Sequence, residues 1–180
     1  MMTKINVIDL DKTLIPYDSF RELILIRIKG YDLRVVFITI LRVFRIISQK
    51  KFKSTIVLQK GRRYDDAFSE RFAERIFNDI DQRVMNLVKK ESDENTINVL
   101  VSASPHFYVK YLINRLNWMG SGSYFENDKE FIHLYGQSKV TWVQKKFPKE
   151  KYEYNLAISD SDSDNELLKL FKKEIKWILH

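Results

Sequence analysis

Three short apolar runs in this chain each stop abruptly at a polar loop, and that feature narrows the fold more than any other. Residues 4–10 are apolar at Ile5, Val7, Ile8 and Leu10 and run into an acidic turn. Residues 97–101 are β-branched and apolar and end in Ser102-Ala103-Ser104-Pro105, after which residues 106–117 carry helical periodicity. A third run, 156–158, ends in Ser159-Asp160 and is followed by a predicted helix over 166–173. Strands that end in polar loops, two of which open into helices, predict an open α/β sheet with its functional loops at the strands' carboxyl ends.

Between the first two runs, residues 19–95 have helical periodicity and almost no glycine or proline. The stretch is too long for a simple crossover, so it is expected to be a helical insertion that covers the strand ends. The chain therefore divides into a core, residues 1–18 and 96–180, and an inserted cap, residues 19–95. The most apolar part of the insertion, residues 33–47, carries Arg34, Arg42 and Arg45, which stop it from spanning a bilayer. It reads as a buried helix of a bundle, with a helix lying on an anionic membrane surface as the alternative. Further on, Ser121-Gly122-Ser123 reads as a loop, and Asn127-Asp128-Lys129 between two aromatic-apolar pairs predicts a small hairpin.

Composition sets the outer limits. A chain of 180 residues, 44% hydrophobic, supports one globular unit with an insertion rather than two large domains. With no cysteine, disulfides and thiolate metal sites are excluded, and a reducing cytoplasm fits. The N-terminus has no signal-like apolar region, so the mature chain is expected to begin here. The net charge of +7 suits an anionic partner without choosing among nucleic acid, membrane surface and a phosphorylated small molecule. His106, His133 and His180 lack metal-ligand spacing and receive no chemistry.

Asp9 and Asp11 stand two residues apart just past a buried strand, where an extended chain points both side chains the same way. Such acids repel each other unless a cation lies between them. Ser102 can donate its hydroxyl to an anionic oxygen, with the amides of the next helix nearby. Lys139, read as lying in a loop before a helix, offers a fixed positive charge. The run Asp160-Ser161-Asp162-Ser163-Asp164-Asn165 has oxygen ligands for a hard cation such as Mg²⁺. A calcium-binding EF-hand loop is excluded there, because Asn165 stands at the obligatory glycine and Phe171 at the bidentate glutamate.

The order Asp-x-Asp-x-Thr after a first strand, Ser after a second, Lys later, then Asp-Ser-x-x-Asp after another strand resembles the four motifs of the haloacid dehalogenase superfamily. Thr13-Leu14, Asp18-Ser19-Phe20, Gly61, Val101-Ser102-Ala103-Ser104-Pro105 and Trp177 resemble its phosphoserine phosphatase-like branch. The resemblance implies a Rossmann-like, mainly parallel sheet with an inserted helical cap and a Mg²⁺-dependent phosphatase that forms a phosphoaspartate. Asp9 would be the nucleophile and Asp11 the general acid and later base. Thr13, Ser102, Ala103 and Lys139 would bind phosphate. Asp9, the Asp11 carbonyl and Asp160 would hold the metal, with Asp164 in support and Asp162 as a competitor for that place. The acid at Asp11 favours phosphoryl transfer over dehalogenation.

Lys12 and Ser159 stand where the family commonly has glycine, and the short segment after Asp164 would cost the sheet an edge strand. Asp18 stands where phosphoserine phosphatases have a glutamate that meets the substrate's amine. Arg62 and Arg63 join it as specificity candidates on charge and position. The expected partner is a small phosphorylated metabolite such as a sugar phosphate or phosphoserine. No nucleic acid and no membrane span are expected, and surface association and oligomeric state are left open. The rival readings are a phosphotransferase or mutase, and a non-catalytic basic module on an anionic membrane or nucleic acid.

Overall fold

The computed structural model describes residues 2–58, 65–127 and 129–178. Six strands form one sheet: β1 (Thr3–Ile8), β2 (Thr96–Pro105), β3 (Met119–Glu126), β4 (Glu130–Ile132), β5 (Tyr152–Ser159) and β6 (Lys173–Lys176). Their spatial order is β4-β3-β2-β1-β5-β6, and every pair is parallel except β3 with β4. The apolar runs are continuous because this sheet is covered on both faces. Ile8, Leu100, Leu156 and Ile158 pack on one side, and Ile5, Val7, Val99, Val101 and Ala157 on the other. Near the amino ends, buried Asn6 links Asn98 and Asn155 through amide hydrogen bonds of 2.9 and 2.8 Å, a polar rung that holds β5, β1 and β2 in register.

Among the described residues, five helices separate β1 from β2: α1 (Ser19–Lys29), α2 (Leu33–Val43), α3 (Gln49–Leu58), α4 (Asp66–Asn78) and α5 (Gln82–Lys90). Four of them begin behind an aspartate, Asp18, Asp32, Asp65 or Asp81, whose carboxylate accepts a first-turn amide. After β2 come α6 (His106–Leu116), α7 (Gln137–Lys146) and α8 (Asn165–Leu168). Phe72 of α4 meets Tyr108 of α6 edge to face at 5.0 Å, and the inserted helices share one hydrophobic cluster with the sheet.

Several expectations need correction. Residues 166–173 are not one helix: a 3-10 turn, Asp162–Asp164, leads into the short α8, and residues 173–176 form β6, so the short end retains an edge strand. Lys139 lies in the first turn of α7, not in the loop before it. Residues 33–47 are no buried bundle helix, since Val35 is the one fully buried residue of α2. The hairpin forms as β3 and β4, with Asp128 outside the described residues.

Ser121-Gly122-Ser123 belongs to β3 rather than to a loop. Gly120 and Gly122 are there because β2 comes too close for side chains: a Cβ on Gly122 would stand 2.3 Å from the Ser104 carbonyl oxygen, and one on Gly120 2.0 Å from that of Leu100. Gly122→Ala is therefore expected to lower stability by about 1–3 kcal/mol in denaturant unfolding and to reduce turnover by displacing the 102–104 segment. Unchanged stability would show that the two strands can separate freely.

Candidate active site

The parallel arrangement brings the carboxyl ends of β1, β2 and β5 to one edge of the sheet, where a crevice forms. The Asp9 amide donates to the Ile158 carbonyl at 3.0 Å, which carries the β1–β5 ladder one residue beyond the strand. The chain then turns sharply, with the Ile15 amide bonded to the Leu10 carbonyl at 3.0 Å. Lys12 occupies that turn at φ 58°, a left-handed conformation that favours glycine.

Lys139 is buried between two carboxylates, with Nζ 2.7 Å from Asp9 Oδ1 and 2.6 Å from Asp164 Oδ2. The Ser159 hydroxyl donates to Asp164 Oδ2 at 2.7 Å. Burial pushes the Asp9 carboxyl up, to about 7, against the pull of Lys139 and with repulsion from Asp164 and Asp11 adding to it. Burial opposes the Lys139 charge, but the two carboxylates outweigh it and hold its pKa above the ordinary lysine value. Asp162 is on the surface and pairs with Lys176 at 2.8 Å, so the geometry sets Asp164 and not Asp162 beside the lysine.

Asp11 is held by three donors. The Ser19 amide reaches Oδ1 at 2.6 Å, and the hydroxyls of Ser104 and Ser102 reach Oδ2 at 2.6 and 3.3 Å. Burial raises its pKa, nearby Asp18 adds to the rise, and the serine hydrogen bonds oppose it. The Ser19 hydroxyl continues the network to Ser104 at 3.2 Å and to the Tyr108 hydroxyl at 2.9 Å. Thr13 is fully buried and fastens the neighbouring loop, its hydroxyl accepting the Asp160 amide at 2.9 Å. Asp9, Asp11, Ala103, Lys139, Asp160 and Asp164 all line one cavity of about 240 Å³. A larger one, about 350 Å³ beside His106 and Lys110, has no carboxylate.

Asp18 caps α1 through the Arg21 amide and also lines the cavity. Arg62 and Arg63 lie outside the described residues. Sequence reasoning missed Lys53, Gln49, Tyr135 and the part of Ser104 and Ser19. Lys53 is nearly buried, lines the cavity and donates to the Ala103 carbonyl at 3.0 Å; burial lowers its pKa. A signal for it existed: Lys53 shares a helical face with Phe52, Ile56 and Val57, all buried, where a lysine without a task is costly.

The profile of the haloacid dehalogenase-like hydrolases matches residues 7–169. The chain belongs to this family. Among solved structures, this hydrolase is similar to a protein of unknown function from Bordetella pertussis Tohama I, at TM-score 0.73 and 15% identity, covering 94% of this chain and 87% of that one. It is also similar to a phosphoserine phosphohydrolase-like protein from Francisella tularensis (TM-score 0.58, 20% identity, 93% and 82% covered). A phosphoserine phosphatase solved as a phospho-aspartyl intermediate analogue aligns at TM-score 0.53 and 14% identity, with 96% and 86% covered. These likenesses establish the shared fold. A search of curated proteins found no match.

The donor chemistry fits the Mg²⁺ that the family implies. Lys139 takes one oxygen of Asp9 and leaves Oδ2 without a protein partner among the described residues, and buried Asp164 Oδ1 has no partner either. Among the described residues no three acidic or histidine side chains form a metal cluster. A Mg²⁺ would rest on Asp9, Asp160 and the Asp11 carbonyl with waters, a donor set of the kind this ion takes.

Removing the lysine tests the arrangement. Lys139→Met would leave two buried carboxylates unpaired and is expected to lower unfolding stability by about 3–5 kcal/mol. Asp162→Asn, which disturbs one exposed pair, should leave the denaturation midpoint unchanged. Equal effects from the two variants would contradict the geometry.

Proposed function

We propose that this hydrolase is a Mg²⁺-dependent phosphomonoester phosphatase that works through a phosphoaspartate on Asp9 and acts on a small phosphorylated metabolite such as a sugar phosphate or phosphoserine. The observation that carries the reading is the pairing of Asp9 and Asp11 with different partners: Asp9 on a buried lysine, Asp11 on three neutral donors. Environments that differ in this way suit a nucleophile and a proton carrier made from the same side chain.

In this reading an Asp9 oxygen attacks phosphorus in line with the departing alkoxide, which takes a proton from Asp11. Asp11 then removes a proton from water, which attacks the phosphoaspartate and releases inorganic phosphate and Asp9. The raised pKa of Asp11 supports its service as an acid. Mg²⁺, when bound, would screen the negative charge on the phosphoryl group. Lys139 holds the Asp9 side chain in place and adds fixed positive charge, as does Lys53 from α3. Ser102 and the amides that follow it would meet phosphoryl oxygens, and Thr13 keeps the Asp160 loop docked. Asp164 orients Lys139.

The division into a core, residues 1–18 and 96–180, and a cap, residues 19–95, belongs to the same proposal. Asp18, Gln49 and Lys53, all in or next to the cap, line the cavity. With about 240 Å³ of space, it suits a small substrate better than a folded phosphoprotein. Arg62 and Arg63 remain candidates for specificity. A reducing cytoplasm suits the cysteine-free composition.

Acid-quenched phosphoenzyme and steady-state turnover test the chemistry together. Asp9→Asn should abolish both, and chelation of Mg²⁺ should do the same reversibly. Asp11→Asn should lose more turnover on an alkyl or sugar phosphate than on an activated aryl phosphate, whose leaving group needs no proton. A hydroxylamine-sensitive phosphoenzyme from Asp9→Asn would place the nucleophile elsewhere.

Substrate choice offers a separate test. Asp18→Asn keeps a good helix cap and removes only the charge. It is expected to shift the ratio of kcat/KM between phosphoserine and a neutral sugar phosphate by roughly ten-fold, with less change on an aryl phosphate. Equal losses on all three would put Asp18 in the catalytic core.

A further inference from the structure

The first three inserted helices combine two properties found nowhere else together among the described residues. Residues 19–58 hold nine basic residues against two acidic ones, which accounts for the whole net charge of +7. They also expose the largest apolar side chains. On α2, Leu33, Phe37, Ile40 and Val43 fall at spacings of three and four residues, and so on one face of the helix, and all are exposed. Phe44 and Ile46 extend the patch, and Phe37 remains 60% exposed. A monomeric soluble protein seldom leaves so many large apolar groups together in water.

The surrounding charge narrows what covers this face. Arg34 and Arg45 beside it are exposed, and Arg42 is half-buried. Of the two acids in the segment, Asp32 is buried and spent on Arg27 at 2.6 Å. A second copy would bring two strongly positive surfaces together. Nucleic acid would satisfy the arginines but leave the aromatic and aliphatic face without a partner. An anionic bilayer satisfies both, taking the apolar face into the headgroup boundary and the arginines onto lipid phosphates. At eleven residues α2 is too short to cross, and among the described residues no helix is long and apolar enough to do so.

The position relative to the catalytic cavity adds a consequence. A second cavity of about 420 Å³ lies between α1, α2 and α3, and it shares Asp18, Gln49 and Lys53 with the catalytic one. Its walls mix Phe20, Ile24 and Phe52 with Arg21 and Arg42. A surface seated on α2 therefore lies beside the mouth of the active site.

We propose that the α1–α3 face docks the protein on an anionic membrane surface, with the apolar side of α2 inserted at the headgroup boundary. The docking does not depend on the phosphatase reading, so it is read by binding alone. The test is co-sedimentation of the full chain with phosphatidylcholine vesicles and with vesicles of phosphatidylcholine mixed with phosphatidylglycerol, at physiological salt. Binding to the mixed vesicles is expected, much weaker binding to phosphatidylcholine alone, and loss with rising salt. Phe37→Asp should weaken it by roughly ten-fold or more, and Arg34→Gln or Arg45→Gln by about five-fold each.

Circular dichroism confirms that each variant is folded, and Leu33→Asp replaces Phe37→Asp if that variant is not. No preference for the anionic vesicles, or binding indifferent to these substitutions, overturns the proposal. So does a dimer in sedimentation velocity that Phe37→Asp dissociates, which would assign the face to a second copy.

Discussion

Lys139 is the point on which the rest of the site depends. A buried ammonium is tolerated only when its charge is met, and here two carboxylates from two different loops meet it at 2.6 and 2.7 Å. Asp9 comes from the end of β1, Asp164 from the turn after β5, and the lysine from the first turn of α7. The three charges thus bind together the elements that must converge for any chemistry at the strand ends. Ser159 completes the Asp164 side of the arrangement: its hydroxyl donates to the carboxylate that faces the lysine.

The second acid is organised by a different kind of contact. Among the described residues Asp11 has no cation within bonding distance; an amide and two hydroxyls hold it. One of the three donors is the backbone of Ser19, the first residue of α1. The inserted helices are consequently joined to the acid itself, and through Ser19 and Tyr108 to α6. Movement of α1 relative to the sheet would disturb the acid's hydrogen bonds. Lys53 makes a parallel link from α3 to the carbonyl of Ala103. The insertion is therefore part of the site's wall and not merely a cover above it.

The same insertion divides its helices by task. α4 packs against α6, and α4 and α5 both place buried residues in the cluster shared with the sheet, while α2 keeps most of its apolar surface in water and is surrounded by arginines. Hydrophobic burial among the described residues does not account for this apolar face, and that is the ground for the proposed membrane docking.

Much of this was legible in the sequence. The strand ends beside Asp9 and Asp160 could be located because apolar runs that stop at polar loops are a local pattern, and the family resemblance followed from the order of the motifs; Ser102 to Pro105, read as a loop, instead continue β2, which runs over Thr96–Pro105. The hairpin of β3 and β4 and the helix after Pro105 were local as well. Other features were decided only in three dimensions. Ser121 to Ser123 looked like a loop because glycine weakens strand propensity, yet glycine is what the close approach of β2 demands.

The predicted helix over 166–173 shortens to Asn165–Leu168, and its last residue, Lys173, instead opens β6, where ladder hydrogen bonds to β5 outweigh local propensity. Asp162 competed with Asp164 for one place in the sequence reading, and the 3-10 turn buries Asp164 against Lys139 while Asp162 stays on the surface. Residues 33–47 could be read as core or surface from their periodicity, because periodicity records which residues share a face and not what that face meets. The sequence by itself determined the order of elements and the residues available for chemistry. The tertiary structure decided which charges are desolvated together, because that depends on contacts between residues as far apart as 9, 139 and 164.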